Sequence, residues 1–216
     1  MIKIFLITFS LLIFSACSFK APPNQWQYQG ASAFESYTKN FLNSNETLAK
    51  NDLSRCVKHA KKSADLSMLG RIYLGECALN ISVGIKDRCQ KYTSISDIVD
   101  DKKLDAYYNF ITLQNTKPKY LDAKYKKFAS FLNASSFKEA ENELKNITNT
   151  NTKLLCASLI KEHLSSSSRD DMIKIASFHG YKKSVLFWLD EEKNATKDMK
   201  KKEILSKKIK ILRSKS

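Results

Sequence analysis

Apolar residues fall at helical spacing along almost the whole of this chain, and little in it interrupts that spacing. Five glycines and three prolines in 216 residues leave too few turn residues for an all-β fold, which wants one about every ten positions. Residues 31–43, 47–62 and 64–82 each carry apolar side chains on one helical face. Only a few polar residues separate these segments, as between antiparallel neighbouring helices. Residues 83–93 are less regular and contain Gly84, which predicts a loop. Ser94 or Ser96 caps a helix running to about Leu113, and Lys117-Pro118 breaks it. Further helices are expected over 119–133, 136–147, 153–164, 169–179 and from Tyr181 to near Lys193, with Gly180 as a C-cap. The fold class is all-α, in nine or ten helices.

Internal similarity sharpens this picture. Residues 41–53 and 131–144 both end a helix, turn through small polar residues and place Ala49 or Ala140 four residues before Leu53 or Leu144. A third copy runs through Ala176, Gly180, Ser184 and Trp188. Leu69-Gly70 with Tyr73 matches the first helix of a tetratricopeptide-like or Sel1-like repeat, and Phe131, Ala140 and Leu144 match its turn and second helix. The chain thus resembles that family. The resemblance implies a degenerate α-solenoid with a concave binding face; the alternative is an irregular helical bundle.

The amino terminus bears on destination. Met1-Ile2-Lys3 is followed by an apolar run from Ile4 to Phe14 and then by Ser15-Ala16-Cys17, the order of a secretory signal peptide. The run falls short of the roughly 20 apolar residues a spanning helix needs. Small residues placed directly before a cysteine resemble the lipobox of bacterial lipoproteins, with Phe14 where an aliphatic residue is usual. The resemblance implies cleavage after residue 16, lipidation of Cys17 and a membrane anchor that does not span. Ser18 in place of Asp implies delivery to the outer membrane, facing the periplasm. Residues 18–29, with Pro22-Pro23, read as an extended tether within a segment 17–30, followed by a helical domain over 31–193.

Removal of residues 1–16 leaves 200, enough for one sizeable domain. The formal charge is +15, which in a cytosolic protein would point to nucleic acid. Export argues against that partner, and the abundance of Lys, Asn and Ile is what an AT-rich genome produces. Basic residues concentrate in 194–216: Lys200, Lys201, Lys202, Lys207, Lys208, Lys210 and Arg213 surround an apolar stripe of Leu205, Ile209 and Leu212, with Ile204 and Ile211 beside them. Such a helix either lies on an anionic surface or packs its stripe on the body and leaves its lysines in water.

Four cysteines remain after Cys17, and three complete pairings are open. A chain reversal near residues 83–86 can bring Cys77 and Cys89 together; Cys56 and Cys156 lie on apolar faces and read as reduced core residues. No CxxC, HExxH, GxSxG or phosphate loop occurs, and His59, His163 and His179 are isolated, so neither catalysis nor a metal or cofactor site is expected. Asp100-Asp101 and Glu191-Glu192 read as solvated pairs. What remains is a binding role, with another envelope protein as the expected partner and no small-molecule substrate.

Overall fold

The computed structural model describes residues 24–214, and every regular element among them is helical. In chain order these are α1 (Gln25–Leu42), α2 (Glu46–Ala60), α3 (Ser67–Ser82), α4 (Gln90–Thr93), α5 (Ser96–Val99) and α6 (Lys102–Ile111). They continue as α7 (Ala123–Asn133), α8 (Phe137–Glu143), α9 (Thr150–Leu159), α10 (Ser166–Phe178), α11 (Lys182–Ala195) and α12 (Met199–Arg213). Short 3-10 turns occupy Pro118–Tyr120, Leu144–Asn146 and Lys161–His163. None of the described helices is long and apolar enough to cross a membrane.

The turns explain the internal similarity. Ser44, Ser135 and Gly180 stand at φ +65°, +53° and +69°, each directly after a helix. The next N–H then reaches back across the last turn: Asn45 to the Asn40 carbonyl at 2.8 Å, Ser136 to Phe131 at 2.9 Å and Tyr181 to Ala176 at 2.9 Å. This left-handed cap satisfies carbonyls that would otherwise lack donors. It folds α2 back on α1, α8 on α7 and α11 on α10. Only one of the three positions is glycine, and a Cβ at Gly180 would meet nothing within 4 Å, so the residue there matters through its backbone alone. Ser135→Gly should therefore gain about 0.5–1 kcal/mol and Gly180→Ala should lose about 1 kcal/mol. Urea titration checks both, and equal signs would refute the strain argument.

Several expected boundaries moved, and the described residues form twelve α-helices where nine or ten were expected; α9, for one, runs Thr150–Leu159 rather than 153–164. Residues 25–29 are helical rather than part of a tether: they form a mostly exposed first turn of α1 ahead of Gly30 and Ala33, the first buried residues, with His59 a van der Waals contact from any Cβ at Gly30. The single helix expected from Ser94 or Ser96 to Leu113 is two. Asp100 takes φ +42°, and the Asp101 carboxylate accepts from the N–H groups of Lys103 and Leu104 and so starts α6. Aspartate offers the backbone a partner outside the helix, which favours a break here.

One large core joins α3, α4 and α6–α11. Trp188, Phe110, Phe128, Tyr92 and Leu154 are at most 1 % exposed within it. A stack of repeats would touch only its neighbours along the chain. Here α3 packs on α9 and α1 reaches α11. Lys183 of α11 pairs with Glu46 at 2.9 Å and sits 3.7 Å above the Phe41 ring. The helix pairs are those expected, but they close on one another as an irregular bundle does.

Candidate functional site

The closing of α11 on α1 leaves a groove of about 660 Å³ over α3, within the range of ligand-binding clefts. Its floor is Gly75, Ala78, Leu79 and Ser82, mostly small residues that recur at one helical face and keep the backbone low. A Cβ at Gly75 would lie 2.3 Å from the Phe34 ring, so only glycine admits that ring. One wall is α1, through Phe34, Glu35, Thr38 and Lys39; the other is Tyr107 of α6 with Lys124 and Tyr125 of α7.

The second wall is firmly backed. Ring centroids of Tyr107 and Tyr125 are 5.3 Å apart, Tyr125 and Phe110 5.2 Å, and Phe110 meets Phe128 edge-on at 6.2 Å. Burial, with the neighbouring Tyr125, holds the Tyr107 hydroxyl well above the ordinary tyrosine range. It remains a protonated donor at all physiological pH values.

At the groove's end stand Asn43, Asn149, Asn151, His179 and Tyr181. Asn149 caps α9 by accepting from the Thr152 N–H at 2.9 Å, so the positive end of α9 borders the groove. Thr150 Oγ1 lies 3.0 Å from His179 Nε2, and the His179 ring stacks on Tyr181 at 5.3 Å. The side-chain oxygens of Asn43 and Asn151 are buried without a protein partner. Lys39 and Lys124 pair with no carboxylate among the described residues. Lys124 lies 5.0 Å from the Tyr125 ring.

No family model, curated protein or solved structure matches this chain. Fold and site are therefore read from its own residues. The groove was not among the features expected from sequence, since its lining comes from α1, α3, α6, α7, α9 and the turn between α10 and α11, and no local spacing unites them.

Of the residues singled out in the sequence, Cys17 lies outside the described residues. Cys77 and Cys89 form a disulfide with a Cα separation of 5.3 Å, and both are buried. The reversal that joins them is a left-handed cap at Gly84, φ +77°, with the Ile85 N–H on the Asn80 carbonyl. Asp87 steadies the loop by accepting from Asn80 Nδ2 at 2.7 Å and from the Cys89 N–H at 2.8 Å. Its carboxylate lies near both sulfurs, but bonded sulfurs are not thiolate ligands. Cys56 and Cys156 are reduced and buried. Burial and the nearby Asp52 push the Cys56 thiol up to about 11, so neither nucleophilic nor metal chemistry is favoured there.

The basic C-terminal helix packs on the body. Leu205 and Ile209 are buried against Leu189, with Leu212, Val185 and Ile173 beside them. Arg213 pairs with Asp190, and Lys201 reaches Glu192. Glu192, expected in solvent, is 1 % exposed. Its oxygens accept from Ser166 Oγ and from Arg169 Nε, each at 2.6 Å, as well as from Lys201. Ser166 and Arg169 of α10 and Lys201 of α12 close over this side chain, which is why an acid that looks solvated on α11 alone is enclosed in the fold. Lys200, Lys202, Lys208 and Lys210 remain exposed, and Lys207 is paired with Glu203 at 2.6 Å. The patch is thus part clamp and part surface.

Proposed function

We propose that this chain is an exported lipoprotein, held on the outer membrane through Cys17 and facing the periplasm, whose helical body binds another envelope protein along the groove. The groove carries the reading: a cleft of about 660 Å³ whose wall of Tyr107 and Tyr125 is backed by Phe110 offers a partner an aromatic surface. Export rests on the order of residues 1–17, and the Cys77–Cys89 bridge suits an oxidising compartment. The like turns at Ser44, Ser135 and Gly180 support kinship with helical-repeat scaffolds.

Two measurements test the two halves of this proposal. A Cys17→Ala protein should lose metabolic lipid label and leave the membrane fraction; unchanged attachment would remove the anchor. Protein extracted from membranes should bring down a stoichiometric envelope partner. Repeated recovery alone would remove the scaffold.

A second reading gives α12 a contact with anionic lipid. Lys200, Ile204, Lys208 and Ile211 follow one another along one helix face, and Ile204 and Ile211 are 47 % and 71 % exposed. Ile204 and Ile211, expected beside Leu205, Ile209 and Leu212 in one stripe, turn outward instead, while those three are spent on the body. Binding to vesicles of phosphatidylglycerol, but not of phosphatidylcholine alone, should fall with salt and with Ile204→Ser/Ile211→Ser. Equal binding to both lipids would end this reading.

A further inference from the structure

Of the fifteen residues of α12 only Leu205 and Ile209 are buried. They meet Leu189 of α11 in a small cluster of their own, apart from the main core. Thr196 and Asp198, both in extended backbone, form the joint between the two helices. The anchors of α11 lie elsewhere. Trp188, next to Leu189 in the chain, is fully buried in the main core, and Lys183 ties α11 to Glu46 of α2. The body therefore holds α11 without help from α12.

The rest of the contact is electrostatic, and it can be given up without stranding a charge. Lys201 lies on Glu192 and, at 3.6 Å, on Asp170, while Arg213 lies on Asp190. With α12 gone, Glu192 keeps its hydrogen bonds from Arg169 Nε and Ser166 Oγ, each at 2.6 Å. The side chains of Asp170 and Asp190 are 43 % and 26 % exposed, so water can replace the departing cations. Docking also leaves α12 only partly satisfied. It covers Leu205, Ile209 and Leu212 and leaves Ile204 and Ile211 in water, and it sets Lys200, Lys201 and Lys202 in the first turn, where the backbone dipoles are already positive. The boundary of an anionic bilayer meets all of these needs at once: five apolar side chains enter the interface and the lysines lie among phosphates. Lys201 and Lys208, which interrupt the apolar arc, are long enough to reach the headgroups.

We propose that α12 is a detachable strap: docked on α11 in the form described above, it leaves the body as one unit at an anionic lipid surface while α1–α11 stay folded. This rests on the lipid reading of α12 and adds a conformational step to it, in which the residues that face the body, and not the outward ones alone, enter the interface. Asp170, Asp190 and Glu192 compete with lipid phosphate for Lys201 and Arg213, so the acids of α10 and α11 restrain the strap until the surface is sufficiently anionic. A terminal element with few buried side chains opens at a free energy below that of global unfolding, which leaves the body intact when the strap goes.

Thiol labelling of the full chain carrying Leu189→Cys tests this, with each cysteine read separately by peptide mass mapping. Cys156, reduced and fully buried in the main core, reports opening of the whole body. Without lipid, the thiol introduced at position 189 should react about tenfold faster than Cys156, as local opening outpaces global. Vesicles of phosphatidylglycerol should raise its rate several-fold further and vesicles of phosphatidylcholine should not, with Cys156 unchanged throughout. Slow labelling of Cys156 also shows that the variant is folded. Equal rates at the two positions, or a rate at 189 unmoved by phosphatidylglycerol, would overturn the proposal. Flotation with the vesicles separates the two levels: binding with position 189 still covered defeats the strap and leaves the lipid reading standing with α12 docked, and absence of binding defeats both.

Discussion

Glu192→Gln should destabilise the folded chain by about 3–5 kcal/mol, the cost typical of leaving one member of a buried ion pair alone. The Arg169 guanidinium is 10 % exposed and its partner carboxylate 1 %, so water cannot replace the lost charge. The effect should exceed that of any surface pair in the molecule. Lys183–Glu46, for example, keeps Glu46 69 % exposed, and such pairs are worth at most about 1 kcal/mol. Replacing both partners, Arg169→Met with Glu192→Leu, should cost much less than the single change, because the one cation left, Lys201, is a third exposed and keeps Asp170 at 3.6 Å. Urea unfolding of the three variants measures this. A single-variant loss below about 1 kcal/mol would show that the pair is not enclosed.

The same cluster makes stability depend on pH in a stated direction. Burial alone would raise the Glu192 carboxyl. Hydrogen bonds from Lys201, Ser166 and Arg169, with the Arg169 charge, outweigh it and hold the group below the ordinary carboxylate range. A pKa lowered on folding contributes stability that is complete above the unfolded value, about 4.3, and is lost as pH falls through the folded one. Glu141, Glu143 and Glu162 are lowered as well, so the acid limb is shared. The quantity to measure is the difference between wild type and Glu192→Gln, which should shrink as pH drops below 4.3. A difference that grows in acid would reverse the sign worked out here.

Loss of the Cys77–Cys89 bridge should be the next largest effect. The bridge closes a short loop, with a sequence separation of 12, and a loop of that order restrains the unfolded chain by about 3 kcal/mol. For a domain of this size that corresponds to a fall in Tm of about 6–12 °C. Cys77→Ala/Cys89→Ala should show it in thermal melts. Reductant should reproduce it in the wild type only slowly, since both sulfurs are buried, and should not move the double variant. A double variant that melts within a degree of wild type would mean that the Asp87 hydrogen bonds and the Gly84 turn hold the loop unaided.

The helical class, most of the helix pairs and the bridging cysteines were readable because each depends on neighbours within a few positions. Apolar residues every three or four places select a helix, and a small polar residue or glycine at φ near +60° ends it. Cys77 and Cys89 flank a single reversal at Gly84. The helix at 94–113 was misread as continuous because Asp100 and Asp101 look like ordinary surface acids until one of them is seen capping α6. The start of α1 is hidden in the sequence because Gln25–Gln29 are mostly exposed and carry no apolar periodicity, while the buried face of the helix begins only at Gly30.

By itself, then, the sequence determined that this chain would be all-α, where its hairpins turn, which cysteines could meet, and that its first 17 residues resemble an export and lipidation signal. Only the tertiary structure decided that α12 spends its apolar stripe on α11, that Glu192 is enclosed with Arg169, and that Asn43, Asn151, Lys39 and Lys124 border one groove. The reason is range. Helix periodicity and turn geometry are set by forces acting across a few residues, whereas burial of a charge and the opening of a groove depend on which distant faces of α1, α3, α9 and α11 come to rest against one another.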